Sequence, residues 1–178
     1  MRIIGGKYKG KGIVVAKNLP VRPTTDFAKE SLFNILTNKI DFSQVTLLEL
    51  FAGTGNIGYE FWSRGCSSMT SVDLNFQCVQ FIKKTQKSLA IDGKVIRSDC
   101  FRFIKFTKET YSFIFADPPY NMPQLKDLPN HIFEHRILKP GGTLVVEHDK
   151  HTDFESHPHF QNYRQYGRVR FSFFTFTE

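Results

Sequence analysis

Residues 46–58, TLLELFAGTGNIG, carry an apolar stretch straight into a turn with glycines at 53, 55 and 58. A short apolar run closed by glycine reads as a buried strand, and glycine allows the tight turn that leads from it into a helix. A strand, a glycine turn and a helix in that order open a βαβ unit. Parallel strands need such crossovers, and their sheet must be covered by helices on both faces.

The rest of the chain keeps the alternation. Arg22-Pro23-Thr24-Thr25-Asp26 reads as a helix entry, with Thr25 or Asp26 as cap and Phe27, Leu32, Phe33, Ile35 and Leu36 at roughly helical spacing. A helix is expected over about 56–64, a strand over SMTSVD to Asp73, a helix over about 75–90 and a strand over KVIRSD to Asp99. A short helix over 101–107 then precedes the strand in YSFIFADPPY. A helix near 124–137 leads through Lys139-Pro140-Gly141-Gly142 into TLVVEH, and DKHTDFESHPHF near 149–160 reads as a surface connection. GRVRFSFFTF alternates as a last strand. The expected fold is α/β, a Rossmann-like doubly wound domain with a mostly parallel sheet. One domain spans 1–178, with a basic N-terminal extension over 1–22 and the α/β core over 23–178.

Composition excludes several classes. At 178 residues and 40% hydrophobic content the chain suits one well-buried core. It has no apolar run of the roughly 18 residues a membrane span needs, and MRIIGGKYKGKG has no signal-type apolar core. Cys66, Cys78 and Cys100 are odd in number and form no CxxC pair, so they read as reduced core thiols of a cytoplasmic protein. The net charge of +7 is concentrated at the start, where Arg2, Lys7, Lys9, Lys11, Lys17 and Arg22 stand without one acidic residue. A one-signed segment spaced by glycines suits a phosphate backbone, although a merely solvated face would look the same.

In an open α/β sheet, ligands collect at the carboxyl ends of the strands. Glu49, Gly53, Asp73, Asp99 and Asp117 all fall at such ends. Gly53-Thr54-Gly55-Asn56-Ile57-Gly58 matches G-x-G-x-x-G with Asp73 about 20 residues on, which by spacing alone also fits a nicotinamide dinucleotide. Glu49 argues for S-adenosylmethionine instead, because a carboxylate there suits a methionyl amine and would repel a pyrophosphate. Asp73 is placed to accept from ribose hydroxyls and Asp99 from an adenine amine. Phe51, Asn56, Leu74 and Cys100 adjoin these positions and complete the expected cofactor set.

Asp117-Pro118-Pro119-Tyr120 is the most specific signal. It resembles the (Asn/Asp)-Pro-Pro-(Tyr/Phe) motif of methyltransferases acting on exocyclic amines of bases. Such an amine is a poor nucleophile because its lone pair is delocalised into the ring. Acceptors at the Asp117 carboxylate and the Pro118 carbonyl favour a pyramidal nitrogen, and the prolines hold both rigid. Tyr120 offers a flat face to a base taken out of its stack. His131-Ile132-Phe133-Glu134-His135 matches H-x-x-E-H, but a third ligand and a protease scaffold are missing, and no metal is expected.

Taken together, MRIIGGKYKGK, RPTTDFAKESLFNIL, LLELFAGTGNIGYEFWSRG, SVDLN, ADPPY and the YGRVRFSFF end resemble the RsmD-type bacterial 16S ribosomal RNA guanine-N2 methyltransferases. The resemblance implies a class I fold and transfer from S-adenosylmethionine to a guanine N2 amine. It implies ribosomal RNA, in the small subunit or an assembly intermediate, as partner, and substrate contacts at Arg22, Thr24 and Thr25. Asp73 departs from the pattern, where Glu is expected, and keeps the acceptor role with a shorter reach. The chain has no separate target-recognition domain, so a structured RNA recognised largely by shape is the expected substrate of a monomer. An adenine-N6 methyltransferase and a catalytically silent RNA-binding protein are the alternatives.

Overall fold

A computed structural model describes residues 1–15, 19–21 and 24–176. Strands β1 (Thr46–Leu50), β2 (Ser68–Asp73), β3 (Lys94–Arg97), β4 (Tyr111–Ala116), β5 (Leu138–His148), β6 (Phe160–Tyr166) and β7 (Val169–Thr175) form one sheet. Helices α1 (Asp26–Thr37), α2 (Asn56–Ser63), α3 (Phe76–Ser88), α4 (Cys100–Phe106) and α5 (Leu128–Glu134) cover it. The strand order is β3-β2-β1-β4-β5-β7-β6. β1 to β5 pair in parallel, and β7 runs antiparallel to both of its neighbours. The order reverses between β1 and β4, where a crevice opens beyond the strand ends.

Strict alternation along the inner strands sorts side chains into two cores. Leu47, Phe113, Val145, Phe171 and Phe173 face α1 and α2, together with Leu32, Phe33 and Phe61. Leu48, Leu50, Ile114, Leu144, Val146 and Phe174 face the other way, against Ile104, Leu128 and Ile132. Each fully buried Leu or Phe contributes about 1.5–3 kcal/mol, and both faces are covered because a parallel sheet has no solvated side. Thr25 caps α1 by accepting from Ala28 N, Asn75 caps α3 and Asp99 caps α4.

Two expectations need correction. The helix near 124–137 is shorter: a 3-10 turn at Leu125–Asp127 is followed by α5, which ends at Glu134. The last strand is one arm of a hairpin whose other arm is β6, a stretch just past the expected connection for which no strand was expected. FQNYRQY hides its strand character because it is an edge strand with little to bury. The start of the basic segment packs against the core. Ile3 is buried in the core, and Arg2 bridges to Gly12 in a small hairpin.

That hairpin docks on α2. Glu60 accepts from Ile4 N at 2.9 Å and from Gly5 N at 2.8 Å, and Ser63 Oγ donates to Gly5 O at 2.6 Å. Glu60 is fully buried between Lys29 at 3.7 Å and Arg64 at 3.0 Å. Lys29 is itself fully buried and donates to Arg2 O and Asn56 Oδ1.

Candidate active site

The site is built outward from the glycine turn. Phe51 at φ 55°, Gly53 at φ 55° and Gly55 at φ 75° all adopt left-handed backbone, which folds the chain sharply between β1 and α2. Glycine at 55 is required twice over, because a Cβ there would stand 2.8 Å from the Tyr59 ring. At Gly58 a Cβ would stand 2.6 Å from both Glu49 Oε2 and Met69 Cε. Asp73 clamps the turn from β2, accepting from Gly53 N and Asn75 N, both at 2.8 Å.

A cavity of about 930 Å³ opens beyond these strand ends. Thr24, Thr25, Glu49, Phe51, Gly53, Asn56, Asp73, Leu74, Asp99, Cys100 and Asp117 through Tyr120 all line it. Sequence reasoning thus brought most of its site to one place. Gly55 is the exception in the cofactor set and lies behind the wall, on Tyr59. Asn56 lines the cavity, but its amide is spent on Lys29 and on Thr24 O. Asp99 Oδ1 accepts from Arg102 N as a helix cap. Cys100 is a buried thiol that accepts from Phe51 N, and burial pushes its pKa up to about 12.

The expected RNA contacts divide. Arg2 pairs with Asp26 at 3.3 Å, and neither it nor Lys7, Lys9 or Lys11 lines the cavity. The backbone N–H groups of Lys7 and Tyr8 bond Ser63, at the far end of the eight-residue α2. That end is about 12 Å from the cavity along the helix axis. Lys7, Lys9 and Lys11 are exposed there. Arg22 lies outside the described residues.

Electrostatics set the cavity apart from the rest of the molecule. Burial pushes the Glu49 carboxyl up to about 7, against the opposing bonds from Gly58 N and Ser71 Oγ. Asp117 is raised well above the usual carboxylate range, first by burial and then by the charges of Glu147 and Glu49. Glu147 is raised by burial, while hydrogen bonds from Tyr120 Oη (2.9 Å) and Thr24 Oγ1 (3.1 Å) oppose the rise. The Tyr120 hydroxyl is raised as well, by burial first and by the neighbouring Glu147 next.

Glu147 was missed from sequence, as were Phe76, Met122 and Val169 in the cavity wall. The only available signal was a carboxylate ending an apolar strand, TLVVEH, the pattern that singled out Glu49 and Asp117. H-x-x-E-H does bring His131, Glu134 and His135 together, but on the surface and outside the cavity wall.

Three buried or half-buried carboxylates at one cavity mouth repel each other and disfavour an anionic ligand. A ligand carrying positive charge relieves them. The glycine turn takes the close backbone approach of a nucleoside, and Asp73 and Asp99 each keep acceptor capacity toward it. The residues therefore fit S-adenosylmethionine better than a dinucleotide.

A family model described as conserved hypothetical protein 95 matches residues 1–175. The chain belongs to this family. YlbH of Bacillus subtilis is 37% identical to this member over 158 residues, 86% of this chain and 85% of YlbH. Ribosomal RNA small subunit methyltransferase D of Escherichia coli K12 is 30% identical over 148 residues, 83% of this chain and 74% of the relative. Among solved structures, yhhF from Escherichia coli superposes with a TM-score of 0.87 at 25% identity, over 99% of this chain and 98% of its own. No helix among the described residues of this family member is long and apolar enough to cross a membrane.

Proposed function

We propose that the protein is a single-domain, monomeric S-adenosylmethionine-dependent methyltransferase that methylates the exocyclic N2 amine of a guanine in small-subunit ribosomal RNA. The observation that carries this reading is Asp117-Pro118-Pro119-Tyr120 at the end of β4, lining the same cavity as the glycine turn and Glu49. The relatives named as ribosomal RNA methyltransferases supply the substrate class.

S-adenosylmethionine, when bound, supplies a methyl group on a positively charged sulfur. The chain's own residues do the rest. Glu49 and Asp73, which line the cavity, would hold the amine and ribose of the cofactor. Asp117 and the Pro118 carbonyl accept the two N–H groups of the target amine and turn its lone pair out of the ring. Once ionised, which accepting the amine N–H favours, the Asp117 carboxylate is a stronger base than an ordinary one and is suited to take the proton that the amine sheds after methylation. Tyr120, 38% exposed, presents a ring on which the extruded base stacks.

The test supplies methyl-labelled S-adenosylmethionine to the purified protein with small subunits and ribosomal RNA from a strain lacking it. Label in N2-methylguanosine is expected. Label in N6-methyladenosine would replace the substrate, and absence of label with cofactor still bound would return the chain to a silent RNA-binding protein.

A further inference from the structure

Asp117 and Glu147 stand abreast at the rim of the sheet. The parallel register pairs Ala116 with Val146, so the next residue of each strand emerges beside the other, on strands about 4.8 Å apart. Both carboxylates line the cavity, and the charge of Glu147 adds to the burial that raises the proton affinity of Asp117. Asp117 belongs to the four-residue motif. Glu147 lies outside every motif in the sequence, yet it is 4% exposed and faces the place where Asp117 would hold an amine.

The two edges of guanine and adenine differ in what they offer such a pair. Beside its N2 amine guanine carries N1–H, a second donor. Beside its N6 amine adenine carries N1 with a lone pair, an acceptor. An ionised carboxylate accepts only. Next to Asp117, it completes the guanine edge and faces the adenine edge with a lone pair against a lone pair.

We propose that Glu147 is the specificity-determining residue of the base pocket: its carboxylate accepts the N1–H of the guanine whose N2 amine Asp117 holds. This rests on the methyltransferase reading given above. The carboxylate is pre-oriented for the task. Tyr120 donates to Oε1 at 2.9 Å and Thr24 donates to Oε2 at 3.1 Å, one bond to each oxygen. Each oxygen keeps a lone pair for the cavity. Burial on balance raises the carboxyl's proton affinity, the two hydroxyls oppose that rise, and a donor such as the guanine N1–H favours the ionised form further. The same group thereby fixes the ring of Tyr120, so the stacking face and the edge-reading acceptor are set by one anchor. Thr24 ties that anchor to the entry of α1.

The test compares guanosine with 2-aminopurine at the modified position of otherwise identical small-subunit RNA. The analogue keeps the N2 amine, replaces N1–H by a lone pair and also lacks the O6 carbonyl, so the E147Q comparison is what isolates the N1 contact. With the wild-type protein, kcat/KM for 2-aminopurine should fall about tenfold or more, because a pocket built to pair a donor rejects a base without it. Glu147→Gln is nearly isosteric and can turn its amide N–H toward the analogue, so in E147Q the preference for guanosine should collapse by a similar factor. Cofactor affinity in E147Q should stay within a few-fold of wild type. Equal use of the two bases by the wild type, or an unchanged preference in E147Q, would overturn the proposal while leaving the methyltransferase reading intact. Loss of cofactor binding in E147Q would assign Glu147 to the scaffold and overturn it too. If the wild type labels no guanosine at all, the methyltransferase reading itself fails and the proposal falls with it.

Discussion

At the scale of single residues, the cavity stores electrostatic strain that its ligands are placed to relieve. Glu49 is pushed from 4.5 up to about 7 by burial. The folded chain therefore holds that proton more tightly than the unfolded chain does. Its contribution to stability is full below about 4.5 and is lost as pH rises toward about 7. The loss is roughly 3 kcal/mol. Thermal melts of the ligand-free protein between pH 5 and 8 should fall with pH, and Glu49→Gln should flatten that fall. Parallel curves for the two proteins would rule the effect out. Affinity for S-adenosylmethionine should run the opposite way and rise across the same interval, since its cationic groups favour the ionised carboxylate. Asp117→Ala should lower methyl transfer by at least about 10²–10³-fold. Cofactor affinity should stay within a few-fold, and the melting temperature near pH 8 should not drop, because a repelled carboxylate has been removed. A collapse of cofactor binding would contradict the division of roles between β1 and β4.

At the scale of elements, α2 carries two duties at its two ends. Its first turn meets the glycine loop, and its last turn holds the N-terminal hairpin through Glu60 and Ser63. Glu60→Ala would leave Lys29 buried without its charge partner and two backbone N–H groups without an acceptor. The cost should be about 3–5 kcal/mol. Urea unfolding should report it, and hydrogen exchange at residues 3–11 should speed up ahead of the global transition. A loss below about 1 kcal/mol would mean that the pair is replaceable.

None of this partnership was legible in the sequence. Lys29 sits in a plainly amphipathic helix and looks like a surface residue until Glu60 is brought against it. The one-signed charge of residues 1–11 likewise concealed Ile3, a core residue. What was legible is what burial writes locally: β1, β2 and β4 as apolar runs, Thr25 as a cap, and the carboxylates at strand ends. β6 was invisible because an edge strand needs little apolar surface. Glu147 carried the same strand-end signal but no motif around it, and its role depends on Tyr120 and Thr24, far from it along the chain.

At the scale of the whole molecule, Arg2, Lys7, Lys9 and Lys11 stand on a docked hairpin about one helix length from the cavity. Deleting the segment would strip Ile3 from the core as well as the charge, so neutralisation is the cleaner probe. A Lys7→Gln, Lys9→Gln, Lys11→Gln variant should bind RNA more weakly at low salt. The slope of log affinity against log salt should become shallower by about 2–3. Affinity and slope equal to wild type would place the RNA elsewhere. Melting temperature should hardly change, since all three side chains are exposed.

The docking of that hairpin also has a consequence in time. The acceptor for Gly5 N is 55 residues further along the chain. Synthesis proceeds at about 5–20 residues per second, so the hairpin segment waits roughly 3–11 seconds before its partner is made. Ile3 and Tyr8 are open to water for that interval. A slow codon run just upstream of residue 60 would prolong the exposure, and one placed after the hairpin has docked would not.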